Sequence, residues 1–119
     1  MIQHVTREIR PSDLHSCVRF YELLGFEQVA VPAGIAGRAL WLERRATQIH
    51  LMPKAGATRS SGHVGIVLES YADTVAQLRD AGHRVEPRRE HRGSPRAYVH
   101  DPAGNLVELM AWPPGGHGS

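Results

Sequence analysis

The chain has 119 residues, an apolar fraction of 41% and a formal net charge of +2, which suits one compact domain or two small modules sharing a core. No apolar run approaches the roughly 18 residues of a membrane span, and a single cysteine, Cys17, excludes an internal disulfide. The N-terminus lacks a signal-peptide pattern, and the small net charge gives no support for nucleic-acid binding. We therefore expect a cytoplasmic globular protein with neither membrane nor nucleic-acid partners.

The first half of the chain predicts the element order β-α-β-β-β. Residues 2–9 form the first predicted strand, with His4 near its start. Ser12 is the predicted N-cap of a helix, and Gly25 stands where a helix C-terminal glycine belongs. The helix carries a one-sided apolar stripe, formed by Leu14, Cys17, Val18, Tyr21 and Leu24. Three further strands are predicted at residues 26–31, 39–43 and 48–52.

The second half repeats this order after a linker at residues 53–61, which has no periodic apolar pattern. Ser70 is predicted to cap a helix that ends at Gly82. Turn residues fill positions 101–105 and predict a hairpin. The predicted strands are residues 63–68, 84–89, 96–100 and 106–111. We predict a single domain over residues 1–112, with modules at 2–52 and 62–111 and a mobile Pro/Gly-rich tail at 113–119.

The repeat places four potential metal ligands at equivalent positions. His4 and His63 open the two modules, while His50 and Glu108 lie on the last strand of each. These landmarks recur at an offset of about 58 residues, and such internal repeats indicate the architecture before any motif does. A lone strand histidine is usually an ordinary core or surface residue. The paired placement makes a joint role for these four side chains the stronger interpretation.

Strand alternation supports a shared open face for these side chains. Val64 and Ile66 point away from His63, and Val107 and Leu109 point away from Glu108. Ile49 and Leu51 likewise oppose His50. Since the opposite face is apolar in each case, we expect the candidate ligands on the open face of the sheet. The first strand is less clear, because Gln3 and Arg7 share the face of Val5.

Two segments resemble motifs of the vicinal oxygen chelate superfamily, which includes glyoxalase I, bleomycin-resistance proteins and extradiol dioxygenases. Residues 20–26, FYELLGF, resemble its FYxxLGF segment, and residues 101–109, DPAGNLVEL, resemble its DPxGNxxEL segment. The resemblance covers roughly residues 2–111. It implies an α+β fold in which two βαβββ modules form a cup-shaped mixed sheet around one metal. It also implies a homodimer, with ligands drawn from one chain or from both.

The resemblance places the metal ligands at His4, His50, His63 and Glu108. His4, His63 and Glu108 match the His, His and Glu of many members. His50 departs from the pattern, since glyoxalase I has Glu at this position and methylmalonyl-CoA epimerase has Gln. Imidazole and carboxylate donors suit one divalent ion of Zn, Ni, Fe, Mn or Co, which would act as a Lewis acid on a substrate with adjacent oxygens.

Proton transfer would need a base, and His50 or Glu108 is the candidate. Trp41 and Tyr98, on the third strand of each module, are candidate pocket residues, and ordinary packing is an equal alternative for both. Arg96 is a candidate for binding an anionic substrate group.

Three functions fit this pattern. The leading prediction is a metal-dependent enzyme, a lyase or isomerase similar to glyoxalase I, acting on a small molecule. A dioxygenase or thiol transferase would use the same His-His-Glu donors. A bleomycin-resistance-type protein would bind a drug without catalysis, although it would have no need for a full ligand set.

Overall fold

Two units with the same order of elements make up the chain, Met1–Ser60 and a second that begins at Ser61. The computed structural model describes residues 1–113. The first unit contains β1 (His4–Ile9), α1 (Leu14–Leu23), β2 (Glu27–Val29), β3 (Leu40–Arg44) and β4 (Thr47–Pro53). The second contains β5 (His63–Val67), α2 (Tyr71–Asp80), β6 (Glu86–His91), β7 (Ser94–His100) and β8 (Leu106–Met110). The predicted α+β class and the repeated βαβββ order are confirmed.

Each unit has one four-stranded mixed sheet, with strand orders β1-β4-β3-β2 and β5-β8-β7-β6. The first and fourth strands of a unit pair in parallel, whereas the other neighbours are antiparallel. Antiparallel neighbours need only a tight turn, but the parallel pair needs a crossover, which the helix is part of. The strands that carry the candidate ligands are therefore adjacent in both units.

The buried side chains follow the predicted periodicity. In the first unit the stripe of α1 is buried except for Leu14, and so are Ile49 and Leu51 on the face of β4 opposite His50. Arg7 and Ile9 are buried as well. The face of β1 that carries these two side chains therefore points into the core, and His4, on the opposite face, is exposed. In the second unit the buried set includes Ile66, Leu78, Ala97, Val107 and Leu109.

The beginning of α1 differs from the prediction, whereas α2 begins directly after the predicted residue, Ser70. Ser12 is not the N-cap of α1, because Pro11 starts a short 3₁₀ turn and Asp13 takes the cap position instead. Ser70 does occupy the N-cap of α2 but makes no side-chain cap bond; its carbonyl accepts the Thr74 amide instead.

The ends of the helices agree with the prediction. Gly25 and Gly82 follow α1 and α2 with φ of 95° and 92°, a left-handed conformation that glycine adopts without steric cost. Neither helix of residues 1–113 is long and apolar enough to cross a membrane. The predicted tail falls mainly on residues 114–119, which lie outside the described residues.

Candidate metal centre

The register of the two sheets gives the candidate ligands equivalent surroundings. In the first unit His50 lies between Thr6 on β1 and Trp41 on β3. In the second unit Glu108 lies between Gly65 on β5 and Tyr98 on β7. His4 precedes Thr6 by two residues on β1, and His63 precedes Gly65 by two residues on β5. Each histidine therefore shares the face of that strand partner. Each unit thus places an imidazole, a fourth-strand ligand and an aromatic ring on one face of its sheet.

Three rings of the first unit form a continuous stack. The Trp41 and His50 rings lie 4.1 Å apart and 3° from parallel. The His4 ring lies 4.1 Å from the other side of His50, at 12°. His50 is therefore buried between the two rings, with 8% of its surface exposed, while His4 is exposed.

Two glutamine side chains bind the stacked imidazoles. Gln3 Oε1 lies 2.7 Å from Nδ1 of His4, and Gln48 Oε1 lies 2.7 Å from Nε2 of His50. Gln48 also donates from its amide nitrogen to Glu43 Oε1 at 2.9 Å. A histidine ligand commonly donates its second ring N–H to an oxygen in this manner, which fixes its tautomer. His4 accordingly has Nε2 available as a donor atom for a metal.

Burial lowers the pKa of His50, and the neighbouring His4 lowers that pKa further. The cause is physical: a positive charge on His50 would lose hydration between two rings and would repel a charge on His4. The neutral form is therefore favoured, and a neutral imidazole is the form that either binds a metal or accepts a hydrogen bond.

The second unit holds its two candidate ligands in direct contact. Nε2 of His63 lies 3.1 Å from Oε1 of Glu108. Two donors bound side by side at about 2.1 Å from one ion are separated by about 3 Å. The spacing of this pair therefore fits two adjacent positions of a divalent metal, and the nitrogen and oxygen donors fit the same group of metals.

Arg96 holds the other oxygen of Glu108. Its Nη1 donates to Oε2 at 3.0 Å, and its Nε donates to the Arg89 carbonyl. Hydrogen bonds to Tyr98 and Glu108 raise the pKa of Arg96. Arg96 was predicted to bind an anionic substrate group; its position gives it a second role, since it fixes the orientation of a candidate ligand. Whether it also binds substrate stays a prediction.

Tyr98 contributes a ring to this cluster, with its centroid 6.1 Å from that of His63. The guanidinium carbon of Arg88 lies 4.8 Å from the Tyr98 centroid, within cation–π range. Arg88 is exposed, and its guanidinium places a cation against the Tyr98 ring.

The structure thus brings the predicted ligands together as two pairs, one in each unit. No group of three or more His, Cys, Asp or Glu side chains placed to hold a metal occurs within residues 1–113. Convergence of all four on one ion stays a prediction. Sequence reasoning missed the supporting roles of Gln3, Gln48 and Glu43; strand alternation, which places Gln48 on the face of His50 and Glu43 on that of Trp41, could have indicated two of them.

A repeated βαβββ fold with paired nitrogen and oxygen donors on its first and fourth strands defines a protein of the vicinal oxygen chelate type. The chain belongs to the Glyoxalase/Bleomycin resistance protein/Dioxygenase superfamily, which matches residues 1–109. Proteins of this superfamily bind small molecules and are commonly dimeric; some are enzymes and others are not.

Solved structures with the same fold belong to proteins of different functions. A glyoxalase family protein from Bacillus anthracis is 21% identical, with 92% of this chain and 93% of that chain covered at a TM-score of 0.80. Lactoylglutathione lyase from Agrobacterium tumefaciens is 22% identical, with 92% of each chain covered at 0.71. A bleomycin resistance determinant of the transposon Tn5 is 24% identical, with 89% and 94% covered at 0.66. At these identities the likeness establishes the fold. The comparison with curated proteins gives no match.

Proposed function

We propose that the protein is a metal-dependent enzyme, a lyase or isomerase similar to glyoxalase I, acting on a small substrate with adjacent oxygens. The observation that carries the proposal is the 3.1 Å spacing of His63 Nε2 and Glu108 Oε1, which suits two adjacent ligands of one ion. The second supporting observation is His4, at the first-strand position equivalent to His63, where Gln3 Oε1 binds Nδ1 and leaves Nε2 for a metal. We assign the function to one domain over residues 1–112.

His4, His63 and Glu108 supply two imidazoles and one carboxylate for the metal, and His50 lies at the fourth candidate position. This donor set suits Zn, Ni, Fe, Mn or Co and leaves positions for a substrate. The bound ion would polarise substrate oxygen and lower the energy of negative charge on it.

The surrounding residues orient these donors and line the place of the substrate. Arg96 holds Oε2 of Glu108 and leaves Oε1 facing His63. Gln3 fixes the tautomer of His4. His50 or Glu108 would accept a substrate proton during the reaction, and Trp41 and Tyr98 present aromatic surface beside them.

We propose a homodimer, with the ligands of the ion drawn from one chain or from both. Symmetric dimers are the commonest oligomers of soluble proteins. A single buried cysteine, Cys17, favours a cytoplasmic location, where thiols remain reduced.

The proposal is tested with protein loaded separately with each of Zn²⁺, Ni²⁺, Fe²⁺, Mn²⁺ and Co²⁺. Formation of lactoylglutathione from methylglyoxal and glutathione is followed for each form. We expect metal-dependent turnover that Glu108→Gln abolishes and Arg84→Gln, at an exposed position, leaves unchanged. Equal rates with and without metal would contradict the proposal.

The dioxygenase or thiol transferase alternative rests on the same His-His-Glu donors, which are the set that non-haem iron oxygenases use. Oxygen uptake by the Fe²⁺-loaded protein with a catechol substrate would favour the dioxygenase. Metal-dependent loss of free glutathione in the presence of fosfomycin would favour the transferase.

A non-enzymatic drug-binding role is favoured by one different observation, the ring stack of Trp41, His50 and His4. Such a stack offers a surface for a planar aromatic group. Tight binding of bleomycin by metal-free protein, unaffected by Glu108→Gln, would support this role over the enzymatic one.

A further inference from the structure

The ring stack of the first unit indicates which of the four candidate residues would bind the metal. The inference drawn from it rests on the proposed function, since it presupposes a bound metal. We infer that His50 is not a fourth metal ligand, and that it serves instead as a hydrogen-bond acceptor for a hydroxyl or N–H group of the substrate.

The orientation of the two imidazole rings prevents His4 and His50 from binding the same ion. An imidazole nitrogen binds a metal along a lone pair that lies in the plane of its ring, at about 2.1 Å. The planes of His4 and His50 are inclined by only 12°, with their centroids 4.1 Å apart. Planes so nearly parallel do not meet within a coordination distance of either ring, so one ion cannot lie in both.

Of the two rings, His4 is the one that can reorient toward a metal with the smaller loss of contacts. His50 has a ring on each side, since Trp41 stacks on it at 4.1 Å and 3°, and its side chain is buried. His4 has this stack on one side only and is exposed. Reorientation of His4 disturbs one ring contact, whereas reorientation of His50 disturbs two. The stack therefore favours His4 as the ligand and His50 as the fixed ring.

The contacts of Gln48 fix the tautomer of His50. Gln48 donates its amide nitrogen to Glu43, and a carboxylate only accepts, so the amide oxygen of Gln48 is the atom that faces His50. Nε2 of His50 must then carry the proton and donate it to that oxygen. This leaves the unshared electron pair on Nδ1.

Nδ1 is open to a ligand. Within residues 1–113 no contact of His50 gives Nδ1 a hydrogen-bond partner. A fully buried nitrogen without a partner would count as a buried unsatisfied atom, and Nδ1 is not one of these. It therefore retains contact with solvent. An accessible acceptor of fixed tautomer, beside a candidate metal ligand, suits a substrate hydroxyl or N–H placed next to the chelating oxygens.

A matched pair of variants separates the two roles. His4→Phe and His50→Phe each keep an aromatic ring in the stack and remove the ring nitrogens. Zn²⁺ affinity is measured by competition with a chromophoric chelator. We expect a loss of at least about 100-fold for His4→Phe and of less than about tenfold for His50→Phe. Equal losses in the two variants would overturn the inference and leave the proposed function intact.

A second measurement uses the unmodified chain, in case a variant fails to fold. Nitrogen-15 spectra of the histidine rings should show His50 protonated on Nε2, without metal and with Zn²⁺ alike. A large change at His50 Nδ1 on Zn²⁺ addition would identify it as a ligand and overturn the inference. Absence of Zn²⁺ binding by the wild-type chain would instead overturn the proposed function and, with it, the inference.

The acceptor role is tested with catechol as a probe that carries adjacent oxygens. Catechol affinity is compared between Zn²⁺-loaded wild type and Zn²⁺-loaded His50→Phe. We expect binding to weaken by about tenfold in the variant, the effect of one hydrogen bond. Unchanged catechol affinity would overturn the acceptor role.

Discussion

Arg96 and Glu108 form an ion pair in which both side chains are nearly buried, with 10% and 12% of their surface exposed and a 3.0 Å contact. The same carboxylate faces His63 with its other oxygen. Glu108 is therefore oriented by a cation on one side and by an imidazole on the other. Its role as a ligand would depend on both contacts.

Replacement of Arg96 should destabilise the protein and weaken metal binding. Arg96→Met removes the cation that faces the Glu108 carboxylate, which we expect to lower the unfolding free energy by more than the loss of an exposed ion pair does. Metal affinity should fall about 10–100-fold, because an outer-sphere partner of a ligand is lost. Urea denaturation and chelator competition measure the two effects.

The control for Arg96 is the exposed ion pair of Arg84 and Glu86, where the side chains are 88% and 49% exposed. Arg84→Met should change the unfolding free energy by less than about 1 kcal/mol and leave metal affinity unchanged. Equal effects of the two substitutions would show that burial of the Arg96–Glu108 pair has no consequence.

The stability of the protein should depend on pH through His50. Its folded-state pKa is lowered by burial and by His4, so the folded state binds fewer protons at this ring than the unfolded state does. The free energy of unfolding should therefore be highest above the unfolded pKa of about 6.5 and fall as the pH falls from there toward the lower folded-state pKa.

Thermal unfolding of wild type and His50→Phe between about pH 8 and pH 5 measures this contribution. The midpoint of wild type should decrease more steeply on acidification than that of the variant. Parallel curves would mean that His50 titrates alike in the folded and unfolded chains.

The turn before β8 should be sensitive to loss of Asp101. Its Oδ1 accepts the backbone amides of Ala103 and Asn105, each at 2.9 Å, and the side chain lies in a buried position. Asp101→Ala should cost about 1–3 kcal/mol because these amides lose their acceptor. Asp80→Ala, at an exposed helix end, should stay within about 0.5 kcal/mol. Equal urea midpoints for the two variants would contradict the assigned role.

The sequence predicted the pairs of ligands but not the contacts within them. Strand alternation predicted an open face for His50 and left the first strand less clear. The Cα partner of His4 is Gln48, whereas His50 lies opposite Thr6. Their stacking is a diagonal contact that depends on register and side-chain rotamer. Residue types along one strand specify neither.

The contacts of Arg96 and the position of Ser12 likewise depend on neighbours that a local sequence signal does not specify. The register of β7 and β8 puts Arg96 on the face of Glu108, but an arginine is long enough to reach several partners, so its contact with the carboxylate depends on the packing. Ser12 matched a cap signal, but Pro11, one residue earlier, began a 3₁₀ turn and moved the helix start to Leu14. Local signals predicted the existence of elements better than their first residues.

The measurement that most directly tests the central claim is a titration of the metal-free protein with Zn²⁺, followed by chelator competition, for wild type, His4→Ala and Glu108→Ala. We expect one ion bound per chain in wild type. We also expect an affinity lower by at least about 100-fold in each variant, since each removes a ligand. Binding of Zn²⁺ by both variants as tightly as by wild type would show that His4 and Glu108 are not its ligands.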